Sequence, residues 1–236
     1  LQLSHYPSQP EGKGQGGGVS ARIEALLARA GAGEDLDEAG VTALLGARGA
    51  DFARVCAQAD ALNRRLHGER VSYVVNRNIN YTNVCYFKCQ FCAFSKGKAH
   101  DHLRGTPYDL DDAELERRVA EAWARGATEV CLQGGIHPAY TGEKYLDICR
   151  LVKKTAPRMH IHAFSPLEVW QGAKTLGLPL VDFIAQLREA GLGTLPGTAA
   201  EILHDEVRAV LCPDKINSAQ WIEVMEAAHS VGVRST

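Results

Sequence analysis

The chain has 236 residues, with 26 Lys and Arg against 28 Asp and Glu and a formal charge of -2, which marks neither a polybasic nucleic-acid binder nor an acidic tail. At 45% hydrophobic and 23% charged residues it has the apolar content for a sizeable core, and wholesale disorder is excluded. No apolar run approaches the roughly 20 residues that cross a bilayer and the N-terminal stretch does not read as a secretory signal, so a cytoplasmic protein without nucleic-acid or membrane partners is expected.

Residues 1–18 mix Ser4, Pro7, Ser8 and Pro10 with five glycines between Gly12 and Gly18, the composition of a flexible tail or linker. Leu1 in place of Met, and a strand that is just beginning at the last residues, lead us to expect a fragment of a longer polypeptide. Residues 19–70 are expected to form a small helical cap packed beside the main domain. Its first helix follows Ser20 as N-cap, carries Ile23, Leu26, Leu27 and Ala30 on one face and has Gly31 just past its end. A second helix is read over Leu36–Leu45. A third, over Asp51–His67, lines up Phe52, Val55, Ala59, Leu62 and Leu66 as one apolar stripe.

From residue 71 to 236 short β-rich runs alternate with amphipathic helices, the pattern of parallel βα units. Strands are read at Val71–Ile79, Thr128–Gln133, Met159–Phe164, Leu192–Leu195 and from Val233. Helices are read at Asp111–Arg125, Glu143–Ala156, Pro166–Ala190 in two pieces, Ala199–Leu211 and Ser218–Ser230. No glycine fingerprint follows the first strand, so the predicted fold is α/β, a TIM-type (β/α) barrel that is incomplete in this chain; a doubly wound sheet is the alternative.

The chain holds seven cysteines, an odd number that argues for reduced thiols. Three of them, Cys85, Cys89 and Cys92, fall within eight residues in the loop after the first strand. An iron–sulfur cube held by three cysteines keeps one iron open to another ligand, whereas structural zinc closes with a fourth Cys or His. His100 and His102 lie nearby and keep zinc as the rival. Cys56, Cys131, Cys149 and Cys212 are read as small buried hydrophobes.

This cysteine spacing, with the aromatic Phe91 directly before the last Cys, resembles the radical S-adenosylmethionine (SAM) superfamily. The resemblance implies that Cys85, Cys89 and Cys92 hold a 4Fe-4S cluster whose fourth iron is chelated by S-adenosyl-L-methionine, and that a 5'-deoxyadenosyl radical then takes hydrogen from substrate. It also implies that Phe91 packs beside the adenine. Gly134 and Gly135, in the string Gln133 to Pro138 after the second strand, would lie along the SAM amino group.

The strings Asn76 to Cys85, His162 to Pro166 and Leu195 to Leu203 are similar to the group of deazaflavin (FO) synthases and two menaquinone-route enzymes, aminofutalosine synthase and dehypoxanthine futalosine cyclase. Pro196 to Glu201 favours the tyrosine-using subunit or domain of the FO synthases over the cyclase. The implied activity fragments L-tyrosine and adds its 4-hydroxybenzyl group to 5-amino-6-(D-ribitylamino)uracil. The implied partners are those small molecules, an electron donor protein and a ring-closing FO synthase module, fused or separate.

Several further positions are weighed for contact with ligand. Ser165 to Glu168 forms a capping box with Pro at the first helical position, and Ser165 also stands at the end of a strand where substrate contacts gather. Glu201 is read either as a SAM contact or as a first-turn carboxylate of the helix from Ala199. His160 and His162 are read as facing opposite sides of the third strand, so that one points into the barrel, with His162 a substrate ligand or a satisfied core residue. His137 and Tyr140 follow the glycines as further candidates for ligand contact.

Overall fold

The computed structural model describes residues 18–87, 89, 91, 92 and 106–236. The chain divides between Ser72 and Tyr73 into two compact units. No helix among the described residues is long and apolar enough to cross a membrane.

The first unit contains α1 (Ala21–Ala32), α2 (Glu38–Leu45) and α3 (Gly49–His67). Ser20 caps α1 as expected, its side chain accepting from the Ile23 amide. The stop is Gly33 rather than Gly31, because Gly33 takes the left-handed conformation at φ 85° and turns its N–H back onto the Arg29 and Ala30 carbonyls. Ile23, Leu27 and Ala47 form the core, with Val19, Leu44 and Val55 against it. The expected stripe on α3 is corrected: Val55 alone of the five joins this core, and Phe52 and Leu66 are exposed. Instead, α3 meets α1 through polar side chains, with the Arg54 guanidinium donating to Glu24 at 2.8 Å and Arg65 to the Gly31 carbonyl at 2.7 Å. Cys56, on the same helix, is exposed rather than buried.

The second unit is a five-stranded sheet of β1 (Asn76–Asn80), β2 (Glu129–Gln133), β3 (His160–Ala163), β4 (Thr194–Leu195) and β5 (Arg234–Ser235). All four pairings are parallel and the strand order follows the sequence, β1-β2-β3-β4-β5. A doubly wound sheet reverses direction at a switch point; an unreversed order with right-handed crossovers keeps every helix on one face, as in a (β/α) barrel. The connecting helices are α4 (Asp112–Ala124), α5 (Gly142–Thr155), α6 (Pro166–Leu176), α7 (Leu180–Glu189), α8 (Asp205–Leu211) and α9 (Ser218–Ser230).

Alternate strand residues Ile79, Val130, Leu132, Ile161, Ala163 and Leu195 bury themselves against this helical layer, with Val119, Val152, Phe183, Ile184, Leu187 and Val224 among the helix side chains they join. The opposite face is the inner wall of the barrel and is polar. Register places Asn78, Cys131, His162 and Thr194 in one row across it, with Glu129 beside His160 on the row below.

Two further element boundaries differ from expectation by more than two residues. The first strand begins at Asn76, because ladder pairing starts there and residues such as Val71 (90% exposed) and Tyr73 (85% exposed) have nothing to pack on. The helix expected from Ala199 begins at Asp205. Ala199 (φ 67°) and Glu201 (φ 46°) are left-handed, and the buried Arg208 guanidinium donates to the carbonyls of Ala200, Ile202 and Ile216. That side chain satisfies the loop carbonyls that helical hydrogen bonds would have used.

Candidate active site at the strand ends

A cavity of about 360 Å³ opens at the C-terminal ends of the strands. Cys85, Cys89, Phe91, Cys92, Gly134, Gly135, Ser165 and Glu201 all line it, so eight of the nine predicted site residues converge on one space. Asn78, Asn80, Gln133, Glu168, Thr198 and Lys215 complete much of the wall.

The cysteine loop is pinned from both sides. Thr82 Oγ1 donates to the Tyr108 carbonyl at 2.9 Å, and Asn83 exchanges hydrogen bonds with the 106–108 segment through its amide. Phe87 is buried with Ile136, Leu167 and Ile216, and Cys85 and Cys89 pack against that apolar cluster. Burial pushes the Cys89 thiol up to about 11; Lys215 opposes the shift and the neighbouring thiols add to it. His100 and His102 lie outside the described residues. Among the described residues no three His, Cys, Asp or Glu side chains form a set that could hold a single metal ion.

Gly134 and Gly135 are needed for close approach rather than for positive φ, since neither is left-handed. A Cβ on Gly134 would stand 2.4 Å from the Tyr81 ring, and one on Gly135 would stand 2.3 Å from the Val84 carbonyl oxygen and 2.9 Å from Cys85 Cβ. The Gly135 amide also donates to the Thr82 carbonyl, and the Tyr86 amide to that of Ile136. The glycine edge and the cysteine loop are therefore packed backbone to backbone.

Beneath this edge sits Glu168, fully buried. One carboxylate oxygen accepts from the Tyr81 hydroxyl and from the Gly134 amide at 3.1 Å; the other accepts from the Ser165 amide at 2.7 Å and hydroxyl at 2.6 Å. Tyr81 follows β1, Gly134 follows β2 and Ser165 follows β3, so a single carboxylate ties three strand ends together. Burial raises its pKa, while the four donors pull the other way. The predicted capping box is present, with Ser165 Oγ accepting from the Glu168 amide, yet it accounts for only part of what this glutamate holds.

Glu201 is not a first-turn helix residue, because α8 starts after it. Its carboxylate accepts from Lys215 Nζ at 2.7 Å and faces Arg208 at 3.8 Å. Lys215 in turn stands 5.6 Å from the centre of the Phe91 ring. Burial works against the Lys215 charge, but the hydrogen bond and charge of Glu201 outweigh it and leave its pKa raised.

His162 is the one predicted site residue off the cavity wall. His160 and His162 share a face instead of opposing each other, as residues two apart on a strand must, and both reach Thr194 Oγ1. His137 stacks on Tyr140 at 4.7 Å and accepts from the Ala139 amide, which gives it a loop-forming place outside the cavity lining. Of the remaining thiols, Cys149 and Cys212 are buried as expected, whereas Cys131 is half-buried on the inner wall. Sequence reasoning missed Tyr81, Thr194, Arg208 and Lys215 as site-building residues. Tyr81 lay inside the singled-out Asn-Tyr-Thr-Asn string; the other three are fixed by side-chain contacts 6 to 34 residues away that no local pattern reports.

The sequence pattern of the Radical SAM superfamily matches residues 79–236, which spans every cavity-lining residue but Asn78. The chain belongs to the radical SAM superfamily. This radical SAM chain is 48% identical over 194 residues, 82% of its length, to an FO synthase from Streptomyces coelicolor, and it spans 22% of that protein. It is 43% identical over 220 residues, 91% of its length, to a 5-amino-6-(D-ribitylamino)uracil–L-tyrosine 4-hydroxyphenyl transferase from Nostoc sp., of which it spans 55%. Among solved structures it resembles methylornithine synthase (TM-score 0.62, 18% identity, covering 89% of this chain and 57% of that one). It also resembles the FeFe-hydrogenase maturase HydG from Carboxydothermus hydrogenoformans (TM-score 0.61, 16% identity, covering 89% of this chain and 46% of that one). These two likenesses bear on the fold alone. The donor chemistry suits the superfamily: three thiols, soft ligands for iron–sulfur, share one cavity with a glycine edge that a side chain would obstruct.

Proposed function

We propose that this chain carries the radical SAM chemistry that transfers the 4-hydroxybenzyl group of L-tyrosine to 5-amino-6-(D-ribitylamino)uracil in deazaflavin biosynthesis. The observation that carries this reading is the 43% identity to the Nostoc transferase over 91% of the chain, which runs through the whole cavity wall. Cys85, Cys89 and Cys92 would hold a 4Fe-4S cluster. Gly134, Gly135, Phe91 and Glu201 would hold SAM, with Glu201 and Lys215 forming a paired charge at its edge. When bound, cluster and SAM supply the one-electron chemistry that begins with hydrogen abstraction from substrate.

The protein's own residues orient the reactants and keep water out. Glu168 fixes the Gly134 edge, and the apolar cluster around Phe87 packs against the Cys85 and Cys89 thiols. Ser165 on the cavity wall and His162 on the inner wall outside the cavity lining would be the substrate contacts, although Ser165's hydroxyl proton is already given to Glu168. An electron donor protein and a ring-closing FO synthase module, fused or separate, are the partners this reading requires, and a cytoplasmic location accords with it.

The test is product mass after anaerobic incubation of the reconstituted full-length protein with reductant, SAM, tyrosine and the diaminouracil. A product joining the hydroxybenzyl group to the uracil is expected. A cyclised futalosine product, with none from tyrosine, would move the assignment to the menaquinone-route cyclase.

A further inference from the structure

The inner wall carries a hydrogen-bonded line of three side chains. Thr194 Oγ1 lies 2.8 Å from His160 Nε2 and 2.7 Å from His162 Nδ1. A hydroxyl offers one proton and two lone pairs. Were both imidazoles to donate to it, its own proton would have no acceptor among the described residues. Were both to present lone pairs, only one could be satisfied. The arrangement that satisfies all three groups has one ring donating to Thr194 and the other accepting from it.

The line is built rather than incidental. The His160 ring lies against Gly193, where a Cβ would stand 2.2 Å from Cε1, so the ring's position depends on the missing side chain. Glu129, in register with His160 on β2, brings a carboxylate oxygen to 3.8 Å from His160 Nε2. At the other end His162 shares a row with Cys131 and with Asn78, and Asn78 lines the cavity. The titratable and charged groups on this face are Glu129 and Cys131 on β2, the two histidines on β3, and Arg234, in register with Thr194 on β5. Burial is the main cause that lowers the His162 pKa, with Glu129 opposing it and His160 adding to it, which favours a neutral ring at rest.

We propose that His162, Thr194 and His160 form a proton relay that accepts a proton from substrate at the inner wall and delivers it to His160 beside Glu129. The relay deepens the reading above and rests on it for the identity of the substrate. Tyrosine brings an ammonium group and a phenol, each bearing a proton that an imidazole can take as general base. The steps balance. His162 Nε2 gains the substrate proton, the Nδ1 proton passes to Thr194 Oγ1, the threonine proton passes to His160 Nε2, and no electrons change hands. His160 ends as an imidazolium facing the Glu129 carboxylate.

Two variants of the full-length protein separate the relay from mere packing. Thr194→Val keeps the shape and removes the hydroxyl, while Thr194→Ser keeps the hydroxyl. The Val variant should turn over on the order of a hundredfold more slowly, with little change in KM, and the Ser variant should recover most of the rate. Independently of turnover, nitrogen chemical shifts of 15N-histidine-labelled protein should show His162 protonated at Nδ1 and His160 unprotonated at Nε2 in the neutral state, a pairing lost in the Val variant. Wild-type shifts that place a proton on both Thr194-facing nitrogens, or on neither, would overturn the relay even if the Val variant failed to fold. So would a Val variant with the wild-type rate and pH profile. If the wild type makes no product from tyrosine but shows the complementary tautomers, the substrate assignment fails and the relay stands.

Discussion

Both oxygens of Glu168 are taken up by donors from three different strand ends, which makes its removal different from the loss of a helix cap. Ser165→Ala removes one donor and the cap, at about 1 kcal/mol, and leaves the Gly134 amide bonded to the carboxylate. Glu168→Gln keeps the volume but turns an amide N–H toward a ring of donors, at a further cost of about 1 to 3 kcal/mol for a buried group left unsatisfied. Both variants should melt lower. Only Glu168→Gln should also weaken SAM binding in the reconstituted full-length protein, because its single oxygen cannot accept from both the Gly134 side and the Ser165 side. Equal SAM affinity in the two variants, measured by titration beside the melting curves, would reduce Glu168 to a capping residue. At this scale the cysteines, Phe91, the glycines, Ser165 and Glu201 were legible because their strings are short and contiguous. The double duty of Glu168 was not, since its partners Tyr81 and Gly134 lie 87 and 34 residues away.

Helix α4 shows how charge pattern sets pH dependence within one element. The Glu114 carboxylate accepts from Arg117 at 2.7 Å and from Arg118 at 2.7 Å, and these hydrogen bonds hold its pKa down at about 2. A carboxylate depressed in the folded state adds stability that is complete above its unfolded pKa near 4.5 and is lost as pH falls through about 2. Glu114→Gln should therefore melt below the wild type near pH 7. That gap should close as pH falls toward 2, and it should narrow in 1 M salt because the network faces solvent. A gap that persists at pH 2 would trace it to helix packing instead of charge. Local signals of the same kind made helix ends readable: Ser20 and Ser165 cap where expected, and α9 runs over the expected residues with Asn217 as its cap. They failed for α8 and α3. The start of α8 is set by Arg208 reaching back to loop carbonyls, and the facing of α3 is set by Arg54 and Arg65; an apolar period reports neither.

The two units differ in how much they bury, and this difference has a kinetic consequence. The second unit seats its strands in a continuous apolar layer that includes Ile79, Val130, Leu132, Ile161 and Phe164, each at most 1% exposed. The first unit centres on Ile23, Leu27 and Ala47, and its longest helix contributes no buried residue. The alternation of strands and helices after residue 71 was enough to foretell the barrel-like order, because parallel strands on one helical layer leave few topologies. The thinness of the first core was not readable, since the α3 stripe has the spacing of a packed face. Local opening free energy follows buried apolar contact, so amides of α1 and α3 should exchange with solvent far sooner than those of β1, β2 and β3. Hydrogen–deuterium exchange read by mass spectrometry on the full-length protein checks this directly. Peptides covering residues 21–67 should reach full exchange while those covering 129–133 and 160–163 stay protected. Protection of α3 equal to that of β2 would mean that Phe52 and Leu66 are covered in the full-length protein, and Phe52→Ser would then lower that protection while leaving the strands unchanged.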